Sequence, residues 1–237
     1  MDIGSINALM KSDEPLLPEL EPYAFFDPNL KMRIFHHPLI IDVPFTSAAL
    51  INARYKFKKQ KLEEYLASGD YSGAIALTER PYRLDRFMDF MDGIAGTEEF
   101  CKLAADVWID SENIHRNLDE WREVWSMVAP SNREWLHEER EWEAFQTLPD
   151  RTEVYRGIGV EGAENGLSWT TDVDKARWFA DRNTNLAGVD IDAEPILLTG
   201  TVNKSDVIAY FLQRGESEVV VFPENVMLTS MVSRSKM

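Results

Sequence analysis

Apolar positions recur at helical spacing from residue 47 to residue 146, then give way to short β-forming runs. "SAALINARYKFKKQKLEEYLASGD" reads as one long helix stopped by Ser68-Gly69-Asp70, and "YSGAIALTER" as a shorter one closed by Pro81. "PYRLDRFMDFMDGIAG" sets Leu84, Phe87, Met88 and Met91 at helical spacing, and "TEEFCKLAADVWID" opens with Thr97 as a cap. Ile114, Leu118, Trp121, Trp125 and Val128 share one face of the next segment. "SNREWLHEEREWEAFQTLP" predicts a helix that starts at a Ser131 cap and ends before Pro149. Beyond Pro149-Asp150 come "EVYRGI", "GLSWTT", "PILLTGTV", "VIAYFL" and "SEVVVF", each a strand candidate. One short helix, "DVDKARWFADRN", interrupts them, with Asp172 as its cap and Ala176, Phe179 and Ala180 inward.

The first fifty residues differ from both textures. Pro15, Pro18, Pro22, Pro28, Pro38 and Pro44 forbid helix interiors, so this stretch is expected to be extended, wrapping the body or partly loose. Its aromatic residues Tyr23, Phe25, Phe26, Phe35 and Phe45 predict that it docks. The whole reads as α+β. A mostly helical N-terminal region with a proline-rich start is expected over 1–148, joined to a strand-rich domain over 149–237.

Composition narrows the function classes. With 44% apolar and 28% charged residues, the chain supports a sizeable core. The formal charge of −16 is spread along it, with 28 acids and 16 bases in residues 1–150 and 13 and 9 in residues 151–237. So acidic a surface repels phosphate backbones, which makes nucleic-acid binding unlikely. Arg54–Lys61, "RYKFKKQK", is read as a solvated basic helix face, and "EWLHEEREWE" as an exposed acidic face. The single cysteine, Cys101, allows no intrachain disulfide and reads as a small buried hydrophobe. No stretch looks like a signal peptide or a membrane span of ~18 apolar residues, so a cytoplasmic protein is expected. His36, His37, His115 and His137 lack zinc-ligand spacing, and no metal is expected. Trp121 with Trp125, and Trp135 with Trp142, are read as helix packing.

Three polar islands stand out among the strands. Arg156 in "VYRGIG" is followed by Gly157, a combination that suits a phosphate clamp with backbone room for a ligand, or a plain strand-edge arginine. Ser168-Trp169-Thr170 places two hydroxyls around an aromatic, as a pocket wall or as ordinary strand chemistry. Glu216 and Glu218 stand two apart before Val219, Val220, Val221 and Phe222, and in a regular strand both would face one cleft. The alternative is a pair of acids at a solvated strand end.

In this order the three islands resemble the arginine–serine–glutamate class of mono-ADP-ribosyltransferases, over roughly residues 151–226. "VYRG" is similar to that family's first strand, "GLSWTTD" with "KARWFA" to its serine strand and adjacent helix, and "ESEVVVFP" to its catalytic loop and strand. The "YRG…GLSWT" wording also resembles small phage-encoded members, among them an anti-CRISPR transferase, which would act in the host cytoplasm. The resemblance implies a split β-sandwich domain over 149–237 that uses NAD+ as substrate and a target protein as acceptor. It implies that Glu218 stabilises the oxocarbenium-like ribose left when nicotinamide departs, a role that carboxylates play in glycoside chemistry. It implies that Glu216 engages the acceptor, with arginine favoured, and that Ser168 orients Glu218. Tyr155, Arg156 and Gly157 fall on the cofactor side, with Arg156 on the pyrophosphate, and Ser168, Trp169 and Thr170 toward the nicotinamide. The usual Ser-Thr-Ser is Ser-Trp-Thr here, which turns Trp169 to the opposite face in a regular strand. Two other readings stay open on the sequence: NAD+ hydrolysis, and a non-catalytic acidic binding protein on the same fold.

Overall fold

In the computed structural model, residues 2–112, 114–159, 163–185 and 194–233 are described. They form helices and antiparallel sheets in two units, Met1–Met91 and Asp92–Met237. None of the described helices is long and apolar enough to cross a membrane.

The first unit opens with α1 (Ile3–Met10), capped where Asp2 accepts from Ser5 N–H at 2.9 Å. The proline-rich stretch that follows is ordered rather than loose. It builds a 3-10 turn over Pro18–Tyr23 and a meander of β1 (Ala24–Asp27), β2 (Met32–His37) and β3 (Ile40–Asp42). The prolines are compatible with this because they sit outside the ladders: Pro28 and Pro38 lie in the connections and Pro44 follows β3. α2 (Ala48–Ser68) starts at its Ser47 cap and stops at Gly69, whose φ of 73° closes the last turn. Leu20, Phe35, Ile40 and Ile51 belong to the core of this unit and Tyr23 and Phe45 pack against it, so these aromatics dock as expected, whereas Phe25 and Phe26 stay exposed. α3 (Tyr71–Leu77) and α4 (Arg83–Met88) follow, and the unit ends at the first residue of α5 (Met91–Ile94).

The second unit begins with α6 (Glu98–Asp110), capped by Thr97, and α7 (Leu118–Ser126). The helix expected from Ser131 is instead a 3-10 segment over Pro130–Leu136 followed by α8 (Glu139–Thr147). The cap of α8 is Glu138, whose backbone N–H reaches Glu141 Oε2 at 3.3 Å. Then come β4 (Arg151–Ile158), β5 (Ser168–Thr170), α9 (Val173–Asn185), β6 (Ile196–Asn203), β7 (Ala209–Phe211), β8 (Glu218–Val220) and β9 (Met227–Ser233). The change of texture expected near 148–151 therefore falls between α8 and β4, inside this unit. β9 escaped sequence reading because most of its residues are exposed and no apolar alternation marks it.

These six strands form one antiparallel sheet in the order β7-β8-β5-β4-β6-β9. Val154, Ile158, Trp169, Leu198, Val219 and Val221 belong to its core. The helical segment serves the sheet directly. β7 is an edge strand, and such edges leave backbone donors without partners. Here His137 Nε2 accepts from Tyr210 N–H at 2.9 Å and Glu141 Oε1 from Leu212 N–H at 2.9 Å. Glu141 is buried, so the "EWLHEEREWE" stretch is not an exposed acidic face throughout: one of its acids closes the sheet edge.

Candidate active site

Strand order brings the three polar islands together. β8, β5 and β4 are consecutive neighbours, so Glu218, Ser168 and Arg156 stand on adjacent strands. Thr170 is paired with Tyr155 on one side and Glu218 on the other, and Glu218 is paired in turn with Phe211. Cross-strand partners share a face, so these four form a row, with Ser168 beside them two residues from Thr170. Ser168 Oγ donates to Glu218 Oε1 at 2.5 Å. A cleft of about 350 Å³ opens here, with Arg156, Ser168, Glu216 and Glu218 in its wall. An adjoining cavity of about 200 Å³ shares Ser168, Glu216 and Glu218 and continues to Trp108, Phe211 and Gln213.

Glu216 and Glu218 meet the same cleft, but not because one strand carries both. β8 begins at Glu218, while Glu216 has helical angles at the end of a 3-10 turn over Gln213–Gly215. Between them Ser217 takes φ 46°, in the left-handed region that side chains rarely adopt. The end of β5 pins the turn. Thr170 Oγ1 donates to the Glu216 carbonyl, and Thr171 N–H donates to the Ser217 carbonyl at 3.1 Å.

Arg156 has a double position. By strand alternation it lies on the face of Val154 and Ile158, opposite Tyr155 and Gly157. Its guanidinium donates to the Ser168 carbonyl at 2.6 Å and the Ala163 carbonyl at 3.4 Å, bracing the serine strand while reaching the cleft wall. Gly166 makes room for it: a Cβ there would fall 1.9 Å from Nη2. Burial pulls its pKa down to about 10, against the opposing pull of Glu218 and Glu164.

Other predicted residues have roles the sequence did not suggest. The space left at Gly157 is taken by α9, whose Ala176 carbonyl lies 1.9 Å from where a Cβ would stand, so the backbone room serves helix packing. The Trp169 indole is 3% exposed, packed in the core and bonded to the Gly166 carbonyl at 3.1 Å, which leaves no open ring face for a ligand. The buried Thr170 hydroxyl is occupied by Glu216 and by Asp172 N–H at 3.0 Å. Tyr155 lines the cleft and its hydroxyl donates to Glu153, which pushes the phenol pKa up. α9 starts on Asp172 as expected, and its Arg182 joins both cavity walls.

Sequence reading missed Trp108. From α6, its Nε1–H donates to Glu218 Oε1 at 3.2 Å. Nothing in "LAADVWID" separates this tryptophan from an ordinary core residue. Among the described residues, no group of three or more His, Cys, Asp or Glu could hold a metal ion. No protein-family model, curated protein or solved structure matches the chain.

Proposed function

We propose that the chain is an NAD+-dependent mono-ADP-ribosyltransferase with an ADP-ribosyltransferase-like catalytic fold whose described strands join in one sheet rather than a split β-sandwich. The observation that carries this reading is the Ser168–Glu218 hydrogen bond on neighbouring strands at a cleft that Arg156 also lines. A carboxylate oriented by a hydroxyl in a partly buried site suits a positive charge that develops during reaction. In this reading the bond between nicotinamide and ribose C1′ breaks, and nicotinamide leaves with the electron pair. Glu218 stabilises the oxocarbenium-like ribose. A target side chain, arginine first, attacks C1′ through nitrogen, and its proton passes to Glu216 or to water. The pyrophosphate lies toward Arg156, with Arg182 a second guanidinium in the wall. Tyr155, Gly157, Trp169 and Thr170 shape the cleft from β4 and β5 rather than by open contact of every side chain. The acidic protein would act in a cytoplasm on a basic target surface.

The test incubates purified protein with labelled NAD+ and a cell lysate, beside Glu218→Gln. A labelled protein band is expected from the wild type, with a loss on the order of 10³-fold in the variant at unchanged melting temperature. Free nicotinamide without a labelled band would reassign the protein as an NAD+ hydrolase. No product, and no rise in melting temperature with NAD+, would leave a non-catalytic acidic binding protein.

A further inference from the structure

We infer that Trp108 is a positioning residue for the Glu218 carboxylate, holding it from α6 while Ser168 holds it from β5. Both donors converge on one oxygen, Oε1: Ser168 Oγ at 2.5 Å and Trp108 Nε1 at 3.2 Å. They come from different directions, one along the sheet and one from a helix. Two fixed donors on one oxygen define the plane of the carboxylate. A glutamate with three rotatable side-chain bonds then presents itself to the cleft in one orientation.

The indole is itself enclosed. Trp108 is 1% exposed and lies edge-on to Trp121, with centroids 4.8 Å apart, and against Trp125 at 5.2 Å. The Trp121 and Trp125 rings are stacked at 5.8 Å on α7. An indole offers a single N–H donor and accepts nothing. This one is aimed at a carboxylate, whereas the buried Nε1 of the neighbouring Trp125 has no hydrogen-bond partner among the described residues. A hydrogen-bond donor to a carboxylate favours its charged form. Arg156 on β4 acts electrostatically on the same carboxylate, and Glu216 in the preceding turn, Glu112 after α6, Arg182 on α9 and His115 line the surrounding cavities.

The kinetic arm of the test rests on the transferase reading; the spectroscopic arm does not. In wild-type protein labelled with ¹⁵N-tryptophan, the Trp108 indole resonance is followed against pH. It is expected to shift as Glu218 protonates, and the shift is expected to vanish in Glu218→Gln. A resonance that stays flat through the Glu218 titration overturns the inference, even if no NAD+ chemistry is found and even if Trp108→Phe does not fold. Trp108→Phe keeps most of the ring and removes the donor. It is expected to lower kcat for NAD+ cleavage on the order of tenfold with KM for NAD+ nearly unchanged. The acid limb of its rate profile should move to higher pH. An unchanged acid limb and an unchanged kcat in a folded variant would reduce Trp108 to a packing residue.

Discussion

Thr170 holds Glu216 by its backbone, not by its carboxylate: the threonine hydroxyl donates to the Glu216 carbonyl and accepts from Asp172 N–H at 3.0 Å. One buried oxygen thus ties the Glu216 turn to the start of α9. Thr170→Val keeps the shape and removes both bonds. It is expected to cost about 1–3 kcal/mol of stability, the penalty for a buried polar group left without its partner. On the transferase reading, transfer to protein should fall more than NAD+ cleavage, because the displaced group is Glu216. Thr170→Ser should restore both. Parallel assays of labelled protein and released nicotinamide, with thermal melts, check this.

The fit of α9 against β4 predicts a sharp intolerance. At Gly157 an added methyl meets the Ala176 carbonyl at 1.9 Å and the Ala180 nitrogen at 2.4 Å, both backbone atoms that cannot swing away. Gly157→Ala is therefore expected to destabilise by about 3 kcal/mol, the upper part of the range for overpacking. At this chain length that lowers the melting temperature by roughly 6–12 °C. A melt within one or two degrees of wild type would show that α9 moves off the sheet more easily than its packing implies.

Acid should unfasten the β7 edge. Burial holds His137 down to about 4 from its ordinary 6.5, against the opposing pull of its bond to the Arg133 carbonyl. The neutral ring is the form that accepts from Tyr210 N–H, so its folded-state pKa lies below the unfolded value. The stability it contributes is fully present above about pH 6.5 and is lost as pH falls toward 4. His37 in the first unit is also held down to about 4, by burial and then by the charge of Arg86, and it acts in the same window. His137→Gln keeps an acceptor without a titrating ring. It is expected to flatten the pH dependence of melting between 6.5 and 4 without abolishing it, since His37 remains.

The strands of the site were readable because each pairs a turn signal with a β-forming run, and caps such as Thr97 and Asp172 sit where their side chains accept. The pairing of Ser168 with Glu218 was implied only by the family resemblance, because the two residues lie 50 positions apart. What periodicity could not supply was anything that depends on distant packing. Glu216 and Glu218 reach one cleft through a left-handed Ser217, whereas alternation suggested a regular strand. Glu141 looked like one more surface acid, because nothing local tells a buried carboxylate from its exposed neighbours. Trp108 drew no reading at all, because nothing local marks a core tryptophan whose one donor atom is directed to Glu218. The β1–β3 meander was hidden because its prolines lie in the connections, where composition alone suggests loose chain.

The hydrogen bond between Trp108 and Glu218 joins residues 110 positions apart, and this separation sets an order in time. A chain is synthesised from its N-terminus, so α6 and α7 leave the ribosome well before β8 exists. The tryptophan cluster can gather early, through contacts close in sequence, but the indole donor waits for an acceptor that is made late. The nascent protein therefore carries an unfinished site until β8 has been made.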